Sequence, residues 1–185
     1  MMRFPYYSRL GRKARAVYRR SDAIREVPLR CDASATRAAL AEVEAGLEHD
    51  DRPRVQAATA ALVRVLCDDL QVPRVVLRVL ARRPSDATAE LHGLYEREEG
   101  KRPILRVWMR TAAHERPVAF RTFVRVVMHE LCHHLDYDKF ALDDSMHTHG
   151  FFARESSLVA QLLGPPRTPD DEDAQLALPG LESPD

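Results

Sequence analysis

Arg125-Val126-Val127-Met128-His129-Glu130-Leu131-Cys132-His133-His134-Leu135-Asp136 is the stretch from which the rest of the chain is read. Phe120, Val124, Val127, Leu131 and Leu135 recur at the three-to-four-residue spacing of an amphipathic helix. His129 and His133 are four apart, so a helix sets both imidazoles on one face, one turn apart, where they can share a metal ion. Glu130 follows the first histidine and can reach a water on that ion. A zinc ion lowers the pKa of its water, and Glu130 can take the proton and later pass it to a leaving amine. The apolar stripe lies on the opposite face, which frees the histidines to line a cleft.

Working outward, Pro117 opens this helix, which is placed from there to about Phe140. Upstream the period changes. Val75 to Leu80, Ala89 to Arg97 and Ile104 to Met109 read as three strands. The short turn Glu98-Glu99-Gly100-Lys101 predicts that the last two form an antiparallel hairpin. Before them, Asp32 or Ser34 caps a helix that runs to about His49, and Pro53 starts a second that carries Leu62, Leu66 and Leu70. Downstream, a polar loop from Leu142 to Ser145 leads to a helix over Thr148 to Leu163, which Gly164-Pro165-Pro166 stops. The order is two helices, three strands and two helices. It predicts one α+β domain over residues 31–164 with a mainly antiparallel sheet.

The flanks differ in charge. Residues 1–30 carry nine basic side chains (Arg3, Arg9, Arg12, Lys13, Arg15, Arg19, Arg20, Arg25 and Arg30) against Asp22 and Glu26. With little apolar period, they read as a basic arm that can contact the phosphates of DNA. Residues 165–185 are acidic, Pro-rich and expected to be disordered. Within them, Gln175-Leu176-Ala177-Leu178-Pro179-Gly180-Leu181 looks like the short peptides that dock on the DNA sliding clamp.

Bulk composition sets bounds. The chain has 185 residues, 45% hydrophobic and 30% charged, and its net charge of zero gives the whole molecule no bias toward acidic or basic partners. Cys31, Cys67 and Cys132 are odd in number and widely spaced, which argues against a disulfide framework and for a cytoplasmic location. No apolar run is long enough to span a bilayer and none has the form of a secretory leader, so no membrane partner is expected.

Two histidines do not complete a catalytic zinc site, which normally has three protein ligands and one open position. His147, His149 and Glu155 are the candidates for the third. Asp136, three after His133, is a candidate acceptor for a ligand imidazole. Tyr137 and Trp108 read as packing residues, Cys132 as core, and Arg154 as an exposed arginine.

Taken with His147-Thr148-His149-Gly150-Phe151, the His129-Glu130-x-x-His133 helix resembles the SprT-like, or Spartan-type, zinc metallopeptidases. The resemblance spans about Pro73 to Leu163. It implies a minimal zincin core that binds a protein or peptide substrate, with Leu105 to Arg110 as the edge strand for an extended peptide. It also implies a third histidine at the start of the next helix, with an aromatic residue four positions on. Phe151 therefore points to His147, whereas a Gly directly after the ligand points to His149. His147 is the expected third ligand, with His149 and Glu155 as alternatives. The rival expectation is a non-catalytic protein that keeps a zincin fold for binding or regulation; the presence of Glu130 argues against it.

Overall fold

The computed structural model describes residues 4–84, 91–112 and 115–165. A 3-10 turn over Pro5–Arg9 leads into helix α1, Arg12–Ala23. Helices α2 (Ala33–Glu48) and α3 (Arg52–Asp69) precede strands β1 (Val76–Arg82), β2 (Gly93–Glu96) and β3 (Ile104–Arg110). Helices α4 (Phe120–Asp138) and α5 (His149–Leu163) complete an α+β fold.

Local chemistry fixes the helix starts. Asp32 accepts from the Ser34 N–H, Asp51 from the Arg54 N–H and Thr148 from the Phe151 N–H, each closing an otherwise open first turn. Gly46 lets α2 and α3 approach closely: a Cβ there would lie 2.8 Å from Cγ2 of Val55.

The sheet order is β1-β3-β2. β2 and β3 form the expected antiparallel hairpin, from Gly93 opposite Val107 to Glu96 opposite Ile104. β1 joins the far side of β3 in parallel, from Val76 opposite Ile104 to Arg82 opposite Arg110. The sheet is therefore mixed rather than mainly antiparallel, and the stretch expected as an edge, Leu105 to Arg110, is the central strand. Burial explains the arrangement. The parallel register sets Leu77 beside Leu105 and Val79 beside Val107, so that one apolar face is shared. A short hairpin turn says that two strands are neighbours, but not where a third will join.

The two sheet edges are treated differently. On β1, the side chain of Gln56 accepts from the Val79 N–H at 2.7 Å and donates to the Leu77 carbonyl at 3.2 Å. Arg52 donates to the Val79 carbonyl. Helix α3 thus satisfies that edge with side chains. Among the described residues, β2 is paired with a strand on one side only.

Two boundaries move from their expected places. β2 is shorter than Ala89 to Arg97, and part of that span, residues 85–90, lies outside the described residues. Helix α4 starts at Phe120 rather than Pro117, because Pro117 bridges to Arg110 and the Val118 N–H donates to the Met109 carbonyl, prolonging the sheet.

The expected N-terminal arm is instead folded. Val17, Tyr18 and Ser21 are buried, and α1 packs on α5. Its basic residues Arg12, Lys13, Arg19 and Arg20 remain on the exposed face. Among the described residues, no helix is long and apolar enough to cross a membrane. The clamp-like stretch Gln175 to Leu181 lies outside the described residues, as does His114.

Candidate metal centre

Helix α4 carries His129 and His133 one turn apart, and the loop after it folds back under them. The Leu142 N–H caps the Asp136 carbonyl, and the chain then runs through Ser145 to His147, just before α5. Nε2 of His147 lies 3.0 Å from Nε2 of His129 and 3.2 Å from Nε2 of His133. The fully buried Phe151 ring backs all three imidazoles, with centroids 4.9, 4.8 and 5.0 Å away.

The other candidates for the third position go elsewhere. His149 stacks on Phe4 at 4.4 Å. Glu155 lies behind His129 and takes its other ring nitrogen: Oε2 is 2.9 Å from Nδ1. The second Glu155 oxygen accepts from Arg125 at 3.0 Å.

The partners of the Nδ1 atoms settle which nitrogens hold lone pairs. His129 donates from Nδ1 to the Glu155 carboxylate, so its Nε2 carries a lone pair. Ser145 donates from Oγ to Asp136, at 2.8 Å, and must therefore accept from Nδ1 of His133, at 2.7 Å. Its Nε2 is then a lone pair too. Both point at Nε2 of His147, and one imidazole can supply at most one N–H there. Direct bonds among the three rings leave one of these nitrogens over, whereas a cation at the centre would take all three. Burial, with His129 and His147 beside it, pushes the His133 pKa well below its usual range, and burial with His129 brings His147 down to about 4. Both rings are neutral at physiological pH, as metal ligation requires. Among the described residues, His129, His133 and His147 are the group of side chains close enough to hold a metal ion.

Glu130 is buried against β2. A Cβ on Gly93 would lie 2.7 Å from Cγ and 2.8 Å from Cδ of Glu130, so the carboxylate occupies the space that any other residue at position 93 would fill. It accepts a backbone hydrogen bond from Tyr95. Desolvation raises its pKa to about 7, against the lowering effects of His129 and the Tyr95 N–H.

The remaining residues separate clearly. Asp136 does support a ligand imidazole, but through Ser145 rather than directly. Tyr137 stacks on Tyr95 at 6.1 Å, and Trp108 and Cys132 are buried in packing. Arg154, expected to be exposed, is fully buried and donates to Asp136 at 2.6 Å. His134 bonds to the Pro73 carbonyl and the Tyr95 hydroxyl and takes no part in the histidine cluster. Sequence reasoning missed Ser145, Arg125 and the role of Gly93. Arg125 has a signal, since it precedes His129 by one turn on the same helix face. Ser145 and Gly93 have none, because their partners are set by tertiary packing.

No family model, curated protein or solved structure matches the chain.

Proposed function

We propose that this protein is a zinc-dependent peptidase. The observation that carries the reading is the convergence of three histidine nitrogens beside a buried glutamate that abuts an edge strand. Three histidines with a position left for water are the ligand set of a catalytic rather than a structural zinc site. A zinc ion bound there would supply Lewis acidity and make a coordinated water nucleophilic near neutral pH.

The chain's own residues do the rest. An extended peptide pairs with β2, the edge left open among the described residues, and its backbone is thereby aligned beside Glu130. Glu130 takes a proton from the attacking water as its oxygen bonds to the peptide carbonyl carbon. As the C–N bond breaks, Glu130 delivers that proton to the departing amine. Glu155 with Arg125, and Asp136 with Ser145, hold the imidazoles in the ligating tautomer. The exposed basic face of α1 offers a contact for DNA, in which case DNA raises activity and salt removes the effect.

The test is zinc content and hydrolysis of an unstructured protein substrate, measured on wild type, His147→Ala and Glu130→Gln. The reading expects about one zinc per chain in wild type and Glu130→Gln, loss of zinc in His147→Ala, and hydrolysis by wild type alone. A folded wild type that takes up no added zinc would sink it. Zinc without hydrolysis would favour a metal-stabilised binding protein.

A further inference from the structure

One set of contacts around the site is left unused by this chemistry. The third histidine and the opening of α5 are held from the N-terminal segment, more than a hundred residues away in sequence. The Tyr6 hydroxyl donates to the His147 carbonyl at 2.7 Å. Oγ of Ser21 lies 3.2 Å from Oγ1 of Thr148, the cap of α5. The Gly150 N–H donates to the Asp22 carboxylate at 3.0 Å. The fit there is tight: a Cβ on Gly150 would lie 2.5 Å from the carbonyl oxygens of both Ser21 and Asp22.

Arg154 closes the arrangement from the other side. Nη1 donates to the carbonyls of Ser21 and Ile24, at 2.7 and 2.6 Å, and so caps the C-terminal end of α1. Nη2 donates to Asp136, whose other oxygen accepts from Ser145, which in turn fixes His133. The same guanidinium sits over the Phe151 ring that backs the three imidazoles. Ser21, Asp136, Thr148 and Arg154 are all fully buried, so water cannot replace the bonds among these four.

We propose that the segment from Phe4 to Ile24 is a clamp that sets metal affinity, with Arg154 as the positioning residue that couples α1 to His133 and Tyr6 as the one that couples it to His147. The inference rests on the zinc reading for its ligand, but the coupling itself belongs to the chain. Metal affinity then depends on whether the N-terminal segment is seated. Whatever lifts that segment, by proteolysis or by a partner engaging α1, loosens two of the three ligands together.

The test measures zinc affinity by competition with a chromophoric chelator, and the visible spectrum of the cobalt-substituted protein, on the full chain. Arg154→Met and Tyr6→Phe are compared with wild type and with Leu66→Ala, which lowers stability in α3 without touching the clamp. We expect about 10- to 100-fold weaker zinc binding in Arg154→Met and a smaller loss in Tyr6→Phe, the range for residues that orient metal ligands. Both should shift the cobalt bands, and Leu66→Ala should change neither. Wild-type affinity and spectrum in both variants, or an equal loss in Leu66→Ala, would overturn the proposal. If Arg154→Met does not fold, Tyr6→Phe and Ser21→Ala decide it. Amide exchange in the metal-free protein separates this inference from the zinc reading. Faster exchange at Thr148 to Phe151 in Tyr6→Phe supports the clamp even if wild type takes up no zinc, and unchanged exchange there refutes it.

Discussion

Helices α2 and α3 and helices α4 and α5 are two packed pairs built by different means. The buried polar residues of the first pair are Thr36 and Thr59, and each bonds to a carbonyl of its own helix or cap. The rest of the buried contact between these helices is apolar, with the Arg54–Glu42 ion pair at its exposed rim, and such packing tolerates exchange when volume is kept. The second pair buries Arg125, His129, Asp136, Arg154 and Glu155, each bonded to a residue far away in sequence. Apolar contacts supply stability without direction, whereas bonded charges dictate where each ring nitrogen points. One half of the molecule holds the chain together and the other half aims it.

The sharpest test of that division is Glu130→Gln, for which we expect hydrolysis to fall by about 10²- to 10⁴-fold while zinc content and unfolding midpoint stay near wild type. Next is Gly93→Ala. The added methyl displaces the Glu130 carboxylate, and a shift of about 1 Å costs roughly 10²-fold in turnover, again with zinc retained. Arg154→Met leaves Asp136 buried without its cation. Chemical denaturation should show a loss of about 3–5 kcal/mol. Leu66→Ala, in the other half, should lose about 2–5 kcal/mol by cavity formation, yet bind zinc per folded molecule as wild type does. Reduced zinc affinity in Leu66→Ala would break the comparison.

The smallest effect concerns Cys67. Burial raises its thiol from 9.0 to about 11. The folded chain therefore keeps a proton that the unfolded chain gives up between those values, and stability falls as pH rises through that window. Cys67→Ala should flatten this alkaline limb in denaturation curves taken from pH 8 to 11.

What the sequence discloses follows the same division. The helices α2, α3, α4 and α5 are legible because their apolar positions repeat and because Asp32, Pro53 and Gly164 punctuate them. His129, Glu130 and His133 are legible because a single turn of helix relates them. The choice of His147 over His149 is not, since two residues of a loop separate them and only the folded loop brings one inward. α1 is hidden because its buried stripe is only Val17, Tyr18 and Ser21 in a run of cations. Arg154 reads as a surface residue because the carbonyls that receive it belong to a segment about 130 positions earlier. The central place of β3 is hidden for the same reason, because a crossover connection leaves no local mark.

The side chain of Gln56 on β1 has a consequence for how copies of this molecule can meet. With β1 already satisfied from α3, β2 is, among the described residues, the edge at which the sheet can be extended. A strand from a second copy would thus add at β2 rather than at β1. Replacing Gln56 with leucine would strip the Val79 N–H and the Leu77 carbonyl of that partner and offer β1 as a second edge for pairing.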